Sequence, residues 1–276
     1  MRDLNQHTIT REVVDRFADT PDPRLKRVMT SLVTHLHDFV RDVGLTEAEW
    51  EQAIAFLTAT GHACNDRRQE FILLSDVLGV SMLTVALNND KPAGCTEATV
   101  FGPFHLEDAP RMESGAQLSD GAPGEALRVS GSVRDLDGTP IAGATIDVWQ
   151  ADAEGFYDVQ RPELAATRGR GVFTSDDAGR FHFDTIVAAA YPIPTDGPVG
   201  RLLEATRRHP WRPAHLHFRI QAPGHETLTT HVFRDGDRWL DSDAVFGVRG
   251  SLVKAWTPRE AGGFALDYDF VLARDA

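Results

Sequence analysis

The spacing of apolar residues changes near residue 93, and this change limits the chain to a helical region followed by a β-rich region. Between residues 25 and 43 apolar side chains recur at intervals of three and four, which is the pattern of an amphipathic helix. Gly44 predicts the end of that helix. Thr46 and Glu49 fit a capping box at the start of a second helix.

A third helix is expected to begin at Asp66 and to continue past Met82 for about five turns of 3.6 residues each. Its apolar excess suits burial against another helix or subunit. Gly, Pro, Asp and Ser then crowd residues 102–124, which predicts a long surface connection. We therefore place a domain boundary at residue 100.

Short alternating apolar runs follow this connection, and each is bounded by turn signals such as Asp137-Gly138. The last run, residues 264–272, alternates without interruption. Such short strands, separated by turns instead of helices, predict an antiparallel β-sandwich. The fold class expected from the sequence is thus α+β, with helices first and the sandwich second.

The formal net charge of −13 would repel nucleic acid and anionic membrane surfaces. The chain has no run of 18 apolar residues and no leader-like N-terminus, so we expect a cytoplasmic protein that does not span a membrane. The two cysteines, Cys64 and Cys95, are too few for a disulfide framework and are expected to be reduced, structural thiols.

The segment 212–220 contains an H-x-H pattern. On a strand, His215 and His217 would project from one face and the apolar residues between and after them from the other. Such a pair is a common way to place two metal ligands, although paired surface histidines give the same pattern. A cupin would need a glutamate where the chain has Gln221 or Ala222, so that interpretation is weaker.

The chain has three tyrosines. Tyr157 and Tyr191 lie in turn-rich surroundings, whereas Tyr268 lies in an alternating strand and is expected to pack in the core. For a tyrosine considered alone, packing is also the commoner role.

Several blocks occur in an order that is more specific than any of them alone: residues 135–144, residues 147–152, Tyr157, Tyr191 and the segment 212–220. With these blocks the sequence resembles the intradiol ring-cleaving dioxygenases, the family of catechol 1,2-dioxygenase and hydroxyquinol 1,2-dioxygenase. The resemblance covers nearly all of the β-rich region, and the helical region agrees with it in character.

The resemblance implies that Tyr157, Tyr191, His215 and His217 bind one non-haem iron(III) per subunit. Phenolates are hard anionic donors and favour the ferric state. Tyr191 matches the tyrosinate that leaves the metal and acts as a base when the substrate binds. Arg212 matches an active-site arginine that stabilises negative charge on the ring. An exposed, salt-bridging arginine is the alternative.

The resemblance also indicates hydroxyquinol (1,2,4-trihydroxybenzene) as the substrate, because residues 98–104 and Asp76 match that branch and His231 replaces a glutamine typical of catechol-cleaving members. Asp76 could accept a hydrogen bond from the third ring hydroxyl. The implied product is 3-hydroxy-cis,cis-muconate (maleylacetate), formed in aromatic catabolism. The implied pocket residues are Leu73, Asp76, Val100, Phe101, Gly102, Pro103, Phe104, Ile193, Pro194, Arg212, His231 and Val245.

Three alternatives stay open at this point. The nearest is catechol or chlorocatechol cleavage at the same centre. A non-catalytic β-sandwich binding module is another, in which the tyrosines and histidines are structural. A zinc hydrolase that uses His215 and His217 is the third.

The resemblance further implies a homodimer. Residues 1–100 would form the helical dimerisation region, in some members with a phospholipid between the subunits, and residues 101–276 the iron-binding catalytic domain.

Overall fold

The computed structural model describes residues 2–65, 68–161, 163–164 and 166–275. These residues form two compact units, one ending at Ala59 and the other beginning at Thr60. The boundary at residue 100 divides the chain differently and stays a prediction.

Helices dominate the first ninety described residues, as the sequence predicts. They are α1 (Ile9–Asp15), α2 (Pro23–Val43), α3 (Glu47–His62), α4 (Glu70–Val77) and α5 (Val80–Asn88). The predicted end of α2 is confirmed, because Gly44 adopts the left-handed conformation with φ 59°. The capping box before α3 is also confirmed: the Thr46 N–H donates to Glu49 Oε2 at 2.9 Å, and the Glu49 N–H donates to Thr46 Oγ1 at 3.3 Å.

The prediction of a single third helix is wrong. The structure divides that segment into α4 and α5, which bend by 77° relative to each other. Gly79 lies at the corner with φ 73°, a conformation that a glycine adopts without the steric cost of a side chain. Asp66, the predicted start, lies outside the described residues.

No single helix in the described part of the chain has the length and apolar character needed to cross a membrane. The bent pair formed by α4 and α5 meets those two criteria only when it is counted together.

The β-rich region contains twelve strands and one further α-helix among the described residues. The strands are β1 (Ala126–Asp135), β2 (Thr145–Gln150), β3 (Arg170–Thr174), β4 (Arg180–Ile186), β5 (Tyr191–Pro192), β6 (Trp211–Arg212), β7 (His215–Gln221), β8 (Leu228–Arg234), β9 (Val253–Lys254), β10 (Thr257–Pro258), β11 (Phe264–Asp267) and β12 (Phe270–Leu272); helix α6 is Pro198–Ala205.

Two five-stranded sheets and one short ladder organise these strands. One sheet has the order β10-β11-β1-β12, with β4 also paired to β1, and the other has the order β3-β2-β7-β8-β9. Strands β5 and β6 form a separate two-stranded ladder. The apolar faces of both five-stranded sheets supply one core that includes Leu127, Val129, Phe183, Leu216, Phe218 and Ile220.

The predicted α+β fold, with helices first and a β-sandwich second, is confirmed, but the sheets are mixed and not purely antiparallel. Strand β1 pairs antiparallel with β4 but parallel with β11 and β12, and β8 pairs parallel with β9. The alternation over 264–272 is correspondingly split into two strands. Apolar alternation fixes which face of a strand is buried, but it carries no information about the direction of the neighbouring strand.

Gly131 in β1 lies beside Tyr268, which separates β11 from β12. A β carbon on Gly131 would lie 1.9 Å from the carbonyl oxygen of Tyr268, so glycine permits this close approach. We expect Gly131→Ala to lower the free energy of unfolding by about 1–3 kcal/mol, the usual cost of overpacking a fitted interior. Thermal unfolding would measure the change.

Gly250→Ala is the matched control, since no atom lies within 4 Å of its added β carbon. Equal melting temperatures for the two variants would contradict the close approach of Gly131 to Tyr268.

Candidate metal centre

Strand β7 presents two histidines from one face and core residues from the other. His215 and His217 are buried, with 2% and 1% of their surface exposed. Leu216 and Phe218, on the opposite face, belong to the core between the sheets. The predicted alternation on this strand is therefore confirmed, and it brings two imidazoles together inside the protein.

The two tyrosines reach the same place from different elements. Tyr157 precedes a short 3-10 helix, and its N–H donates to Gln160 Oε1 at 2.9 Å. Tyr191 lies in β5, directly opposite Arg212 in β6. A β carbon on Gly155 would lie 2.9 Å from Tyr191 Cβ, so this glycine lets the Tyr157 loop approach Tyr191.

The polar ends of these four side chains converge. Tyr157 Oη lies 2.7 Å from His217 Nε2 and 3.3 Å from Tyr191 Oη, and the Nε2 atoms of His215 and His217 are 3.1 Å apart. The four residues that the sequence predicted as ligands thus form one cluster of two phenol oxygens and two imidazole nitrogens.

Burial sets the protonation of this cluster. It lowers the pKa of His215 and of His217 well below the usual value, with Arg212 adding to the effect at His215 and His231 at His217. The same burial, together with Tyr191, raises the pKa of Tyr157 well above its usual value. The histidines are therefore neutral at pH 7, which is the form that binds a metal.

The imidazole of His215 is oriented by a hydrogen bond. His215 Nδ1 lies 2.7 Å from the carbonyl oxygen of Pro213, so Nδ1 carries the proton and the lone pair of Nε2 faces the cluster. His217 is held differently: its ring stacks on Trp149, with centroids 4.7 Å apart and planes at 14°. His217 Nδ1 has no hydrogen-bond partner among the described residues.

This donor set fits a hard, highly charged cation. The Nε2 atoms of two neutral imidazoles lie 3.1 Å apart beside two phenol oxygens, an arrangement that a bound cation would stabilise. Such a charge would also favour the phenolate form of Tyr157, whose ionisation burial opposes. Tyr157, Tyr191, His215 and His217 could therefore hold ferric iron.

His231 is a third buried histidine at this place. It lies opposite His217 in the β7–β8 register, and its ring stacks on that of His215 with centroids 4.6 Å apart. Potential ligand atoms of these three histidines lie within 4.8 Å of one another. Burial and His215 lower the pKa of His231 well below its usual value, so it is neutral too.

Arg212 supplies a fixed positive charge beside the cluster. Its Nη1 lies 3.4 Å from Tyr191 Oη and 3.3 Å from His215 Nε2. Arg212 is only 2% exposed and pairs with Asp243, with Nε to Oδ1 at 3.1 Å and Nη2 to Oδ2 at 3.3 Å. Burial by itself would lower the pKa of Arg212, but the negative charge of Asp243 raises it above its usual value. The alternative of an exposed, salt-bridging arginine is therefore excluded.

Asp243 is itself held by the backbone, because its carboxylate accepts hydrogen bonds from the N–H groups of Val245 at 3.3 Å and Gly247 at 3.0 Å. Sequence reasoning missed this residue. A buried arginine requires an anionic partner, but with 41 acidic residues in the chain only the folded loop identifies which one.

Asp76 in α4 is 4% exposed. Burial raises its pKa, whereas a hydrogen bond from Ser81 and the positive charge of Arg212 lower it. The carboxyl group of Asp76 therefore lies in the electrostatic field of the Arg212–Asp243 pair. An alternative in which Asp76 is a surface residue of the helix is excluded.

Most of the other expected pocket residues lie around the two tyrosines. Leu73, Val100, Phe104, Ile193 and Val245 are buried in one apolar cluster with Tyr157 and Tyr191.

Phe104 stacks on Tyr157 with centroids 4.4 Å apart, and together with Pro103 it lines a cavity of about 580 Å³. Phe101 is 41% exposed and contacts Trp149 edge-on, whereas Pro194 is half-buried.

Gly102 lies against His217. It adopts φ 78°, and a β carbon there would lie 3.2 Å from His217 Cε1. Both the left-handed conformation and the limited space favour glycine.

Comparison with known proteins gives matches over most of the chain. Residues 22–96 match the family model described as Catechol dioxygenase N terminus, and residues 100–274 match the one described as Dioxygenase. A 6-chlorohydroxyquinol 1,2-dioxygenase of Cupriavidus pinatubonensis is 64% identical over 272 residues, which are 99% of this chain and 99% of that protein.

Two further relatives agree with these matches. A hydroxyquinol 1,2-dioxygenase of Nocardioides simplex is 53% identical over 93% of this chain and 87% of its own length. The solved structure of a hydroxyquinol 1,2-dioxygenase from Pseudomonas putida is similar with a TM-score of 0.93 and 47% identity, covering 98% of this chain and 99% of that one.

The buried ion pair makes a stability prediction. Asp243→Asn would leave the Arg212 cation without its negative partner, and breaking a buried pair in this way costs about 3–5 kcal/mol. We expect urea denaturation to show a lower free energy of unfolding of that order.

Asp241→Asn is the matched control, since Asp241 is an exposed residue two positions away. The free energy of unfolding of Asp241→Asn should differ from that of the wild type by no more than about 0.5 kcal/mol, as for other surface changes. Similar losses in the two variants would argue against the role of the pair.

Proposed function

This chain belongs to the intradiol ring-cleavage dioxygenase family, and we propose that it opens hydroxyquinol between its two adjacent hydroxyl-bearing carbons. The reaction adds both atoms of O2 to the ring and yields 3-hydroxy-cis,cis-muconate (maleylacetate), as expected in aromatic catabolism. The observation that carries this proposal is the convergence of two phenols and two neutral imidazoles beside one buried arginine. Identity of 64% and 53% to enzymes named for hydroxyquinols supports the substrate.

The proposed cofactor is one Fe(III) per subunit, held by Tyr157, Tyr191, His215 and His217. When bound, the ferric ion supplies a Lewis acid that favours the ionised form of the substrate hydroxyls. The neutrality of both histidines and the hardness of two phenolate oxygens support iron in this oxidation state.

The protein's own groups would handle charge and protons. Tyr191 Oη, when ionised, is positioned to accept a proton from an incoming ring hydroxyl. Arg212 Nη1, fixed by Asp243 and 3.4 Å from Tyr191 Oη, would stabilise negative charge that develops on the ring. Because Arg212 is already paired and buried before the substrate arrives, no reorganisation is required.

Asp76 is the proposed recognition group for the third hydroxyl. A carboxyl group in an apolar pocket has a desolvation cost, which a hydrogen bond from the substrate would offset. The pocket wall around it would consist of Leu73, Val100, Phe101, Gly102, Pro103, Phe104, Ile193, Pro194, His231 and Val245.

A chlorinated hydroxyquinol is a second candidate substrate. The relative named for 6-chlorohydroxyquinol shares 64% of its residues with this chain over nearly the full length of both proteins.

We further propose a homodimer joined through the N-terminal helices. Leu25, Leu32, Leu36 and Phe39 of α2 are between 47% and 54% exposed, although they form its apolar face. A second copy of the chain would cover such a face, and a phospholipid between the subunits is compatible with its apolar character. The cytoplasmic location stays a prediction from the sequence.

Oxygen uptake by the purified, iron-loaded protein tests the proposed function. Hydroxyquinol and catechol would be supplied in parallel, with correction for autoxidation and with the product identified by mass. We expect faster uptake with hydroxyquinol and a product heavier than the substrate by two oxygen atoms. Faster cleavage of catechol would make catechol the substrate in place of hydroxyquinol. If neither substrate caused oxygen uptake, a non-catalytic binding module would be favoured.

Metal analysis and visible spectroscopy test the ligand set. The wild type should bind one iron per chain and show a ferric tyrosinate absorption band. We expect Tyr157→Phe to weaken that band and lower the iron content, because it removes one phenolate oxygen. Tyr268→Phe is a suitable control, since Tyr268 belongs to the core between the sheets and should leave both quantities unchanged.

If Tyr268→Phe lost the absorption band and Tyr157→Phe kept it, the assigned ligands would be wrong. Stoichiometric zinc in the wild type would favour the hydrolase alternative.

Asp76→Leu tests substrate recognition. Loss of a hydrogen bond to a charged group costs about 1.5–3 kcal/mol, so kcat/KM for hydroxyquinol should fall by roughly 10- to 150-fold. Catechol has no third hydroxyl and should be affected much less. Asp76→Asn keeps a neutral acceptor oxygen, so its ratio of kcat/KM for hydroxyquinol to that for catechol should lie between those of Asp76→Leu and the wild type. Equal losses of kcat/KM on both substrates would exclude a specific contact between Asp76 and the third hydroxyl.

A further inference from the structure

Arg208 follows the C-terminal end of α6, where the preceding arginine occupies the left-handed position that is usually a glycine. Helix α6 closes with a Schellman motif, in which the Arg207 N–H donates to Glu204 O at 2.9 Å and the Arg208 N–H donates to Leu203 O at 2.8 Å. This motif requires a left-handed residue, and Arg207 adopts φ 54° although it is not glycine. The backbone of Arg208 is therefore fixed directly after this left-handed residue.

The guanidinium of Arg208 joins two separate segments. Its Nη1 donates to the carbonyl oxygen of Val77 at 2.5 Å, and its Nη2 donates to that of Ala244 at 3.0 Å. Val77 is the last residue of α4, where helix geometry leaves carbonyl groups without partners and favours a positive charge. Arg208 therefore fills two vacant acceptor positions at once.

An aromatic contact reinforces this connection. The guanidinium of Arg208 lies 5.1 Å from the ring centroid of Phe246, which itself has φ 60°. The same ring lies 3.6 Å from the place of a β carbon on Gly79, at the corner between α4 and α5. The loop that contains Phe246 is thus held against this helical corner by contacts on two sides.

Both joined segments contain proposed pocket residues. Asp76 directly precedes Val77, and Ala244 lies between Asp243 and Val245. Asp76 is the proposed contact for the third hydroxyl, whereas Asp243 fixes the arginine beside the phenols. The distance between these two functions depends on how α4 and the 243–247 loop are held together.

We propose that Arg208 is a positioning residue that determines substrate specificity, by tying the Asp76 wall of the pocket to the Asp243–Val245 wall. Within the described part of the chain, the Arg208 side chain forms no hydrogen bond with the proposed metal ligands or the proposed substrate contacts. This inference rests on the proposed function. The role suits arginine because its planar fork donates to both carbonyls simultaneously, which a lysine ammonium on one flexible stem does less well.

The experiment compares Arg208→Met and Arg208→Lys with the wild type in the iron-loaded, full-length enzyme. Methionine retains apolar contact with Phe246 but donates no hydrogen bond. We expect kcat/KM for hydroxyquinol to fall by about tenfold or more through KM, with a much smaller change for catechol, and Arg208→Lys to lie between. Iron content and the ferric tyrosinate band should stay as in the wild type.

Hydrogen exchange gives a second readout that does not depend on turnover. Amides in residues 76–83 and 243–248 should exchange faster in Arg208→Met, because the two segments are no longer tied. Arg201→Met is the matched control, since Arg201 is an exposed arginine on α6, and it should change neither kinetics nor exchange.

Equal losses of kcat/KM on both substrates, or an unchanged preference for hydroxyquinol, would overturn the inference while leaving the proposed function intact. A wild type that consumes no oxygen would instead overturn the proposed function. If Arg208→Met does not fold, the same comparison with Arg208→Lys decides between these outcomes.

Discussion

The two-sidedness of strand β7 is the constraint on which the rest of this structure depends. Its apolar side chains close the core between the sheets, and its histidines face a second, partly polar interior. Because successive side chains of a strand point in opposite directions, the seven residues of β7 contribute both to the core and, through two histidines, to the candidate metal centre. A shift of register by one residue would exchange the two faces and abolish both.

A buried polar interior is stable only if each of its charges has a partner. Arg212 has Asp243, and Asp243 in turn has two backbone N–H groups. The histidines are neutral because burial lowers their pKa, whereas the phenol of Tyr157 retains its proton until a cation offsets the cost of ionisation. This arrangement suits a hard metal ion, and the ion pair with Asp243 holds Arg212 beside the cluster.

The proposed substrate pocket is assembled from elements that are distant in sequence. Helix α4 contributes Asp76, the segment after α5 contributes Gly102 and Phe104, and the loop before β9 contributes Val245. Two non-glycine residues with left-handed conformations, Arg207 and Phe246, lie near their junction. Such conformations persist only where surrounding contacts compensate for them, and here Arg208 supplies those contacts between the helix and the loop.

The sequence by itself determined the order of helices and strands, the capping of α2 and α3, the burial of alternate residues on β7 and, through the family resemblance, the four residues that converge at the candidate metal centre. These features depend on local periodicity, on turn chemistry and on a distinctive order of short blocks. The tertiary structure decided the direction of β11 and β12, the break at Gly79 and the choice of Asp243 as the partner of Arg212. Each of these depends on which distant segment lies alongside another, and neither hydrophobic alternation nor helical spacing encodes that information.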